Sequence, residues 1–519
     1  MEFANDPIAR RIREAAGRGT LSHALLFSGS GDRIAAAQYA AAAMECQGGG
    51  QKPCGTCPAC RKVFSGIHPD VITVRDEAHK NLSVDTVRQI RADAYIRPNE
   101  GARTGTVTRV NKAFAYGLLA RVCLSAAGYA QRPDEGRIGT GNVGSNRRSK
   151  LIEAGQEWGG NALYTKALAA CKEVIAKENA SVKLEGSFDE IWRDMMKREV
   201  TAGGEALFVI PFADNRGQWM NNYAIKHTTA DKYCGKANAG GTIGPVPTLF
   251  YEYDKNDRRR DVTCVPYRWN GGKQELENIQ KWYCGKYRYE WMNEVVSGND
   301  CGIKPIVMRY ADVLLMAAEA ANELNDLPYA KTQLRKVRYR AFKSNDAVDT
   351  YLDGIVSKDD MFWAIYKERM LEFNCEQVRK QDLIRWGLLK KSLDDVKGKM
   401  KAMLDHTTYT STVTGESYDF STIGTKVYYK YDADGETIQL HGLDFGEAGE
   451  PDGEGWTLYT SKKTDGTLEE EYIKSGTTST ARIDMIYQYD PDVHMFWPLF
   501  KMSLTPNSML ANDYGYPVR

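Results

Sequence analysis

The chain has no long uninterrupted hydrophobic run. Its longest alanine-rich stretch, residues 34–44, is interrupted by Gln38 and is too short to cross a bilayer. The opening MEFANDPIARRIREAAGRG has no apolar segment followed by a small-residue cleavage site, so it is not a secretory signal, and no lipid-anchor cysteine follows it. As written, the chain is expected to stay soluble in the cytoplasm. An excess of charge is missing too. The 69 Lys and Arg against 68 Asp and Glu give the chain as a whole no electrostatic case for nucleic acid or an anionic membrane. A phosphate-gripping lysine is also absent. A P-loop needs GxxxxGK[ST], whereas FSGSGDRIAAA offers Gly29 and Gly31 and then Asp32-Arg33, which reads as a tight strand-to-helix turn.

The remaining composition is that of a globular protein. At 519 residues, with 42% hydrophobic and 26% charged residues, the chain has material for more than one domain. Tyrosine (29) and tryptophan (10) are abundant, and aromatic-lined binding surfaces are one use for them. The first hundred residues read as α/β. SHALLFSG (22–29) and PDVITV (69–74) are strand candidates, and DRIAAAQYAAAAMEC (32–46) and SVDTVRQIRADAYI (83–96) are helices. From Val107 the pattern becomes a series of amphipathic helices. Val110, Phe114, Leu118 and Val122 fall four apart, and Leu163, Ala167, Ala170 and Val174 repeat near the helical period. RYADVLLMAAEAANEL (309–324), a short NDLP turn and YAKTQLRKVRYRAF (329–342) form a helical hairpin. This is tetratricopeptide-like packing without a strict 34-residue period. Residues 205–300 and 405–490, rich in Tyr, Gly, Asp and Thr, read as long loops and hairpins, with one turn at Asp434-Gly435. They are expected to decorate the helical scaffold rather than form a core. The fold class expected is mainly α, with helical hairpins and long insertions, preceded by a partial α/β segment.

Cys46, Cys54, Cys57 and Cys60 place four thiols within fifteen residues on a loop rich in glycine and proline. Zinc takes four ligands in a tetrahedron, and two-residue gaps let neighbouring cysteines face one ion. The alternatives are free or disulfide-paired thiols, or a CGTC dithiol redox pair, against which the further cysteines argue. The other seven, Cys123, Cys171, Cys234, Cys264, Cys284, Cys301 and Cys375, read as buried small hydrophobes.

HALLFSG, the four cysteines and GIHPDVITV...SVDTVRQIRADAYIRPNEGAR together resemble the N-terminal module of the DNA polymerase III delta-prime subunit, over residues 1–103. That resemblance implies an AAA+-like segment with a structural zinc loop at Cys46, Cys54, Cys57 and Cys60. It implies clamp-loader subunits as partners and no ATP hydrolysis. After NEGAR the expected next strand, lid and collar do not follow.

Residues 104–519 resemble a different family, the SusD/RagB nutrient-binding outer-membrane lipoproteins. VNKAFAYGLLARVCLSAAGY, RYADVLLMAAEAANEL, KERMLEFNCEQVRKQDLIRWG and MFWPLFKMSLTPNSMLANDYGYP carry the likeness. It implies oligosaccharide binding at the cell surface, for uptake through a TonB-dependent transporter barrel. The first part of that domain is missing. The charges of Arg309, Asp312, Glu319, Glu368, Arg369, Glu372, Arg379, Asp382 and Arg385 inside amphipathic helices read as interhelical ion pairs. Glu368 and Glu372 sit one turn apart without a convergent histidine or metal-ligand set, so no enzyme is expected. Sugars need flat aromatic faces and amides, and Trp219, Asn221, Tyr223, Trp269, Trp282, Tyr283 and Trp291 are the candidates. No direct nucleic-acid site is evident. NEGAR|TGTVTR reads as a junction between two unrelated coding sequences, a gene fusion or an assembly artefact. The function expected is glycan binding by the larger part. The alternative is a clamp-loader fragment with a structural zinc.

Overall fold

The computed structural model describes residues 6–18, 25, 27, 32–68, 71, 107–108, 110–132, 145–148, 161–212, 216–342, 344–463 and 465–505. The chain divides into two units, Met1–Arg97 and Pro98–Arg519. The strands expected at 22–29 and 69–74, the helix at 83–96 and the junction at 99–109 lie almost wholly outside the described residues.

The first unit holds three described helices, α1 (Pro7–Gly17), α2 (Arg33–Glu45) and α3 (Pro58–Phe64). Each begins on a side-chain cap. Asp6 accepts from the Ile8 amide, Asp32 from the Ala35 amide and Cys57 from the Cys60 amide. Ala9 and Ile12 of α1 pack on Tyr39, Ala40 and Ala43 of α2. The Arg13 guanidinium donates to the Tyr39 hydroxyl at 2.9 Å. The next face of α2 carries Ala42, which packs with Cys46, Cys60 and Val63.

The second unit is built around a central helix. Its principal elements are α4 (Lys112–Ala127), α5 (Asn161–Ile175), α6 (Phe188–Lys197), the antiparallel strands β1 (Ala206–Val209) and β2 (Ile306–Arg309), α7 (Tyr310–Glu323), α8 (Leu327–Ala341), α9 (Asn345–Asp353), α10 (Lys358–Glu372), α11 (Arg379–Arg385) and α12 (Leu389–Leu404). Helix α7 packs against α4, α5, α8 and α10. Sequence periodicity gives α7 one broad apolar face, but every residue from Tyr310 to Asn322 is buried. Asp312, Glu319 and Asn322 can be inside because each is bonded to a partner. The expected hairpin forms, with α8 starting earlier than anticipated. Asp326 caps it through the Tyr329 amide, and Pro328 lies in its first turn.

Two sequence expectations are corrected. On α4 the buried stripe is Phe114, Gly117, Ala120, Cys123, Leu124 and Ala127, while Leu118 and Val122, and Val110 ahead of the helix, are exposed. Close approach decides this. A Cβ on Gly117 would stand 2.4 Å from the Met308 sulfur, so small side chains rather than large ones face the core. The second correction concerns 205–300 and 405–490, which do form cores. Leu249, Phe250, Tyr251, Tyr253, Trp282, Tyr418, Phe420, Val427 and Tyr472 pack in one cluster, and Phe188, Trp192, Met220 and Tyr287 in another. Tyrosine and tryptophan bury a large apolar body when the polar tip finds a partner. Here the Tyr253 hydroxyl donates to the Leu371 carbonyl (2.7 Å), Trp282 Nε1 to the Tyr472 hydroxyl (3.0 Å), and that hydroxyl to the Glu277 carbonyl (2.6 Å). The hairpin expected at Asp434-Gly435 is present. Tyr428–Tyr431 pairs with Ile438–His441, Gly435 adopts φ +68°, and Asp434 accepts from the Glu436 and Thr437 amides. Of the scattered cysteines, six are buried and Cys375 is half-buried.

Candidate functional site

The four cysteines of the first unit converge. Their sulfurs all lie within 4.8 Å of one another, close to the ~3.8 Å edge of a tetrahedron with 2.3 Å metal–sulfur bonds. Helix α3 supplies Cys57 at its cap and Cys60 in its first turn, and α2 delivers Cys46 at its end. Each turn of the loop aims an amide at a sulfur. The Cys54 amide donates to Cys46 Sγ (3.3 Å), that of Cys57 to Cys54 Sγ (3.3 Å), and that of Cys60 to Cys57 Sγ (3.4 Å). Such donors favour thiolate. The Cys57 amide, with Thr56, pulls the Cys54 thiol down to about 6, and the Cys60 amide lowers Cys57. Burial pushes Cys60 up to about 12. The loop leaves room for nothing larger than glycine at position 48, where a Cβ would stand 2.9 Å from Cys54 Sγ. This donor set fits a thiophilic metal ion and can hold one.

At the start of α2 the Asp32 carboxylate already occupies the helix N-terminus, 2.9 Å from the Ala35 amide. It would repel a phosphate there, and no lysine is available to offset it. The purified chain is expected to release no phosphate from ATP above background in a steady-state assay. Turnover that persists in Arg33→Ala would contradict this.

The six aromatic candidates of the second unit fall into three separate packing clusters. Trp219, Tyr223 and Trp291 are half-buried around the cluster of Phe188 and Trp192. Trp219 stacks on Tyr223 with centroids 4.6 Å apart, and Asn221 sits half-buried on the same short helix, Trp219–Tyr223. Trp291 is flanked by the Arg193 and Arg288 guanidinium groups, 4.5 and 4.7 Å from its ring centroid. Trp269 is a correction to the ligand expectation. It is 2% exposed and walled by His227, Tyr233 and Tyr267, so neither ring face is free. Trp282 and Tyr283 are 3% and 4% exposed, with the Tyr283 hydroxyl donating to Glu277 at 3.0 Å.

Trp282 and Tyr283 nevertheless help to form the back of a cavity of about 380 Å³. The loop 241–247 makes one wall and lies so close that a Cβ on Gly244 would meet the Trp282 carbonyl oxygen at 1.9 Å. Met400, Met403 and Leu404 of α12 make an apolar floor, and Ser479 and Arg482 of the helix Thr477–Asp484 stand at the other side.

Two family models match the chain, over separate stretches. The SusD family model matches residues 261–516, just under half of the chain. That stretch is SusD-like. A separate model, that of DNA polymerase III, delta subunit, matches residues 4–111. The chain therefore has two parts, the first resembling the delta-prime subunit and the second the SusD/RagB proteins. A SusD-like protein, P25, of Formosa agariphila is 44% identical over 91 residues, which are 18% of this chain and 17% of that protein. The match thus spans about a sixth of the relative's length. Among solved structures, a SusD homologue from Bacteroides thetaiotaomicron is 20% identical, with 62% of this chain and 61% of that one covered and a TM-score of 0.47. NanU of B. fragilis is 19% identical, with coverages of 73% and 74% and a TM-score of 0.41.

The SusD-like part also contains two buried ion networks. In the first, Arg259 bonds Asp257, Glu368 and Glu372, and Arg309 bonds Glu205, Glu372 and Glu376. Arg340 reaches Glu205 and Glu372, Arg338 reaches Glu368, and Lys286 reaches Glu376. Five cations thus meet five carboxylates. In the second, Arg121 and Arg369 flank Asp312, Arg369 and Arg385 share Asp382, and Arg385 bonds Glu319, which also accepts from Trp386 Nε1. Glu368 and Glu372, one turn apart, spend their oxygens on arginines, and neither is placed as an acid or base. Arg379 differs from the rest. It donates to the Tyr366 carbonyl and lies over that ring instead of pairing with a carboxylate. Arg259 carries no sequence signal of burial, because it stands in the charge run DRRRD. The cavity residues Met400 and Arg482 were equally silent, being far apart in the chain.

Proposed function

We propose that the SusD-like part binds oligosaccharide. The family match over residues 261–516 carries this reading, and a cavity of about 380 Å³, within the ~300–1,000 Å³ typical of small-molecule sites, supports it. Trp282 and Tyr283 are proposed as the back of the site. Trp219, Asn221, Tyr223 and Trp291 are proposed as further sugar contacts. A cell-surface location and delivery to a TonB-dependent transporter barrel are proposed from the family alone. Among the described residues no helix is long and apolar enough to cross a membrane. The domains are proposed as 1–103 and 104–519.

Affinity electrophoresis and calorimetry against a panel of soluble polysaccharides test the reading. At least one is expected to retard the chain, and binding to none of a broad panel would refute it. A second function attaches to the first part, on the match over residues 4–111 and the four converging cysteines. It is a clamp-loader fragment whose metal is zinc. Co-purification with other clamp-loader subunits tests it, and their failure to associate would leave a metal-binding segment without that role.

A further inference from the structure

The charge around the cavity is one-sided. Of the side chains lining it, two carry a charge at neutral pH, Lys281 and Arg482, and both are cations. Among the described residues no aspartate or glutamate lines it. Lys281 and Arg482 are exposed, and neither makes an ion pair among the described residues. The stem of a third cationic residue, Lys226, packs against the loop: a Cβ on Gly241 would stand 2.9 Å from its Cβ and 3.0 Å from its Cδ. Burial first, then Lys236, Lys281 and Arg268, lower the Lys226 pKa against the opposing pull of Glu277. Glu277, the acid that opposes this shift, is engaged by Arg268 at 3.2 Å and by the Tyr283 hydroxyl at 3.0 Å.

The rest of the lining suits a sugar ring. Met400, Met403 and Leu404 offer apolar surface for C–H faces. The Ser479 hydroxyl, held by Gln280 Nε2 at 3.1 Å, offers polar contact. A neutral sugar would leave both cations without a partner, whereas a carboxylate or sulfate on the ring gives them one. In a partly enclosed site such charge-assisted bonds are the strong ones, and a guanidinium matches either anion with two parallel N–H donors.

We propose that this cavity selects acidic saccharides, sugars carrying a carboxylate or a sulfate, and that Arg482 and Lys281 are the selecting residues. The proposal rests on the oligosaccharide reading above and narrows its ligand class.

Calorimetry on the full chain tests it with three sets of oligosaccharides of matched length: neutral β-glucans, uronates and sulfated galactans. An acidic set is expected to bind at least tenfold more tightly than the neutral one, with affinity falling as salt is raised. Preference for uronate or for sulfate identifies the source of the anion. Arg482→Gln and Lys281→Gln are each expected to remove most of the preference. Arg482→Lys should restore part of it. Lys391→Gln, about 13 Å along α12 from Met400, should leave the preference intact. Both selecting residues are exposed, so their variants are expected to melt as the parent does. Equal binding of neutral and acidic sugars, or a preference that survives the double variant, overturns the proposal and leaves the oligosaccharide reading standing. No saccharide bound at all overturns both.

Discussion

Glu372→Ala is expected to unfold the second unit under conditions in which the parent is stable. The Glu372 carboxylate accepts from Arg259 at 2.8 Å, from Arg309 at 2.5 Å and from Arg340, and the side chains of all three arginines are at most 3% exposed. Removing it leaves three buried guanidinium groups short of one negative charge. Breaking a buried pair costs about 3–5 kcal/mol, which is a large share of a typical folding free energy of ~5–15 kcal/mol. The two variants divide the effect. Glu372→Gln keeps the shape and some of the hydrogen bonds but not the charge, and is expected to lose most of that amount. Surface pairs such as Lys390–Asp394, both side chains about 40% exposed, should cost under about 1 kcal/mol when broken. All ten tryptophans lie beyond residue 97, so guanidinium unfolding followed by tryptophan fluorescence reads this unit alone. A Glu372→Ala midpoint within error of the parent would contradict the network's role.

The same network fixes the response to acid. Burial pushes Glu372 up, but Arg340, Arg309 and Arg259 together outweigh it and hold the carboxyl well below its usual range. Burial likewise opposes, and arginines reverse, the shifts of Asp312 (Arg121, Arg369) and Asp382 (Arg369, Arg385). A carboxylate with a depressed folded pKa contributes stability that is fully present above its unfolded value, about 4, and is lost as pH falls through the folded value. Native fluorescence should therefore persist to below about pH 4 and collapse at more acid pH. A transition centred at or above the ordinary carboxylate range would show that other groups govern acid unfolding.

How much of this was legible in the sequence depended on the kind of signal. The α7–α8 hairpin was readable because apolar residues recur at the helical period and Asn-Asp-Leu-Pro interrupts them. The Asp434-Gly435 turn was readable because a positive φ selects glycine. The ion pairing of Arg309, Asp312, Glu319, Glu368, Arg369, Glu372, Arg379, Asp382 and Arg385 was inferred from charges set inside amphipathic helices, and the structure pairs each of them except Arg379, which lies on Tyr366. The stripe on α4 was misjudged because period alone cannot say which face is buried when a glycine must admit a methionine from β2. The tyrosine-rich stretches were misjudged as coreless for a related reason. Their hydroxyl partners, such as Leu371 for Tyr253, lie more than a hundred residues away. Trp269 shows the limit for site residues. A tryptophan beside asparagine and glycine is equally a platform for sugar or a wedge between Tyr233 and Tyr267, and tertiary packing chooses. The cavity, assembled from loop 241–247, α12 and the helix Thr477–Asp484, had no local signature at all.

Removing the metal, or one of its ligands, is expected to unfold the first unit. Among the described residues its apolar clusters are small: Ala9, Ile12, Tyr39, Ala40 and Ala43 in one, and Ala42, Cys46, Cys60 and Val63 in the other. Two of the second cluster's four members are cysteines of the converging set, so the packing that joins α2 to α3 surrounds those four sulfurs. Structural zinc contributes about 10–16 kcal/mol of apparent binding free energy in small zinc-finger peptides near neutral pH, and where no preformed site survives unfolding that binding is folding free energy. Native mass spectrometry of the purified chain should give one zinc per chain. Cys60→Ser should lose it, since this sulfur is fully buried on the Ala42 carbonyl and a serine oxygen neither reaches as far nor binds zinc as a thiolate does. Excess chelator should have the same effect on the parent. The amides of Cys54, Cys57 and Cys60 donate to sulfur, so their hydrogen exchange reports the site directly and should speed up by several orders of magnitude. Tryptophan fluorescence, confined to the second unit, should hardly change. Protection of those amides that persists after the metal is stripped, or full zinc content in Cys60→Ser, would show that the four cysteines are packed thiols and that the unit stands without an ion.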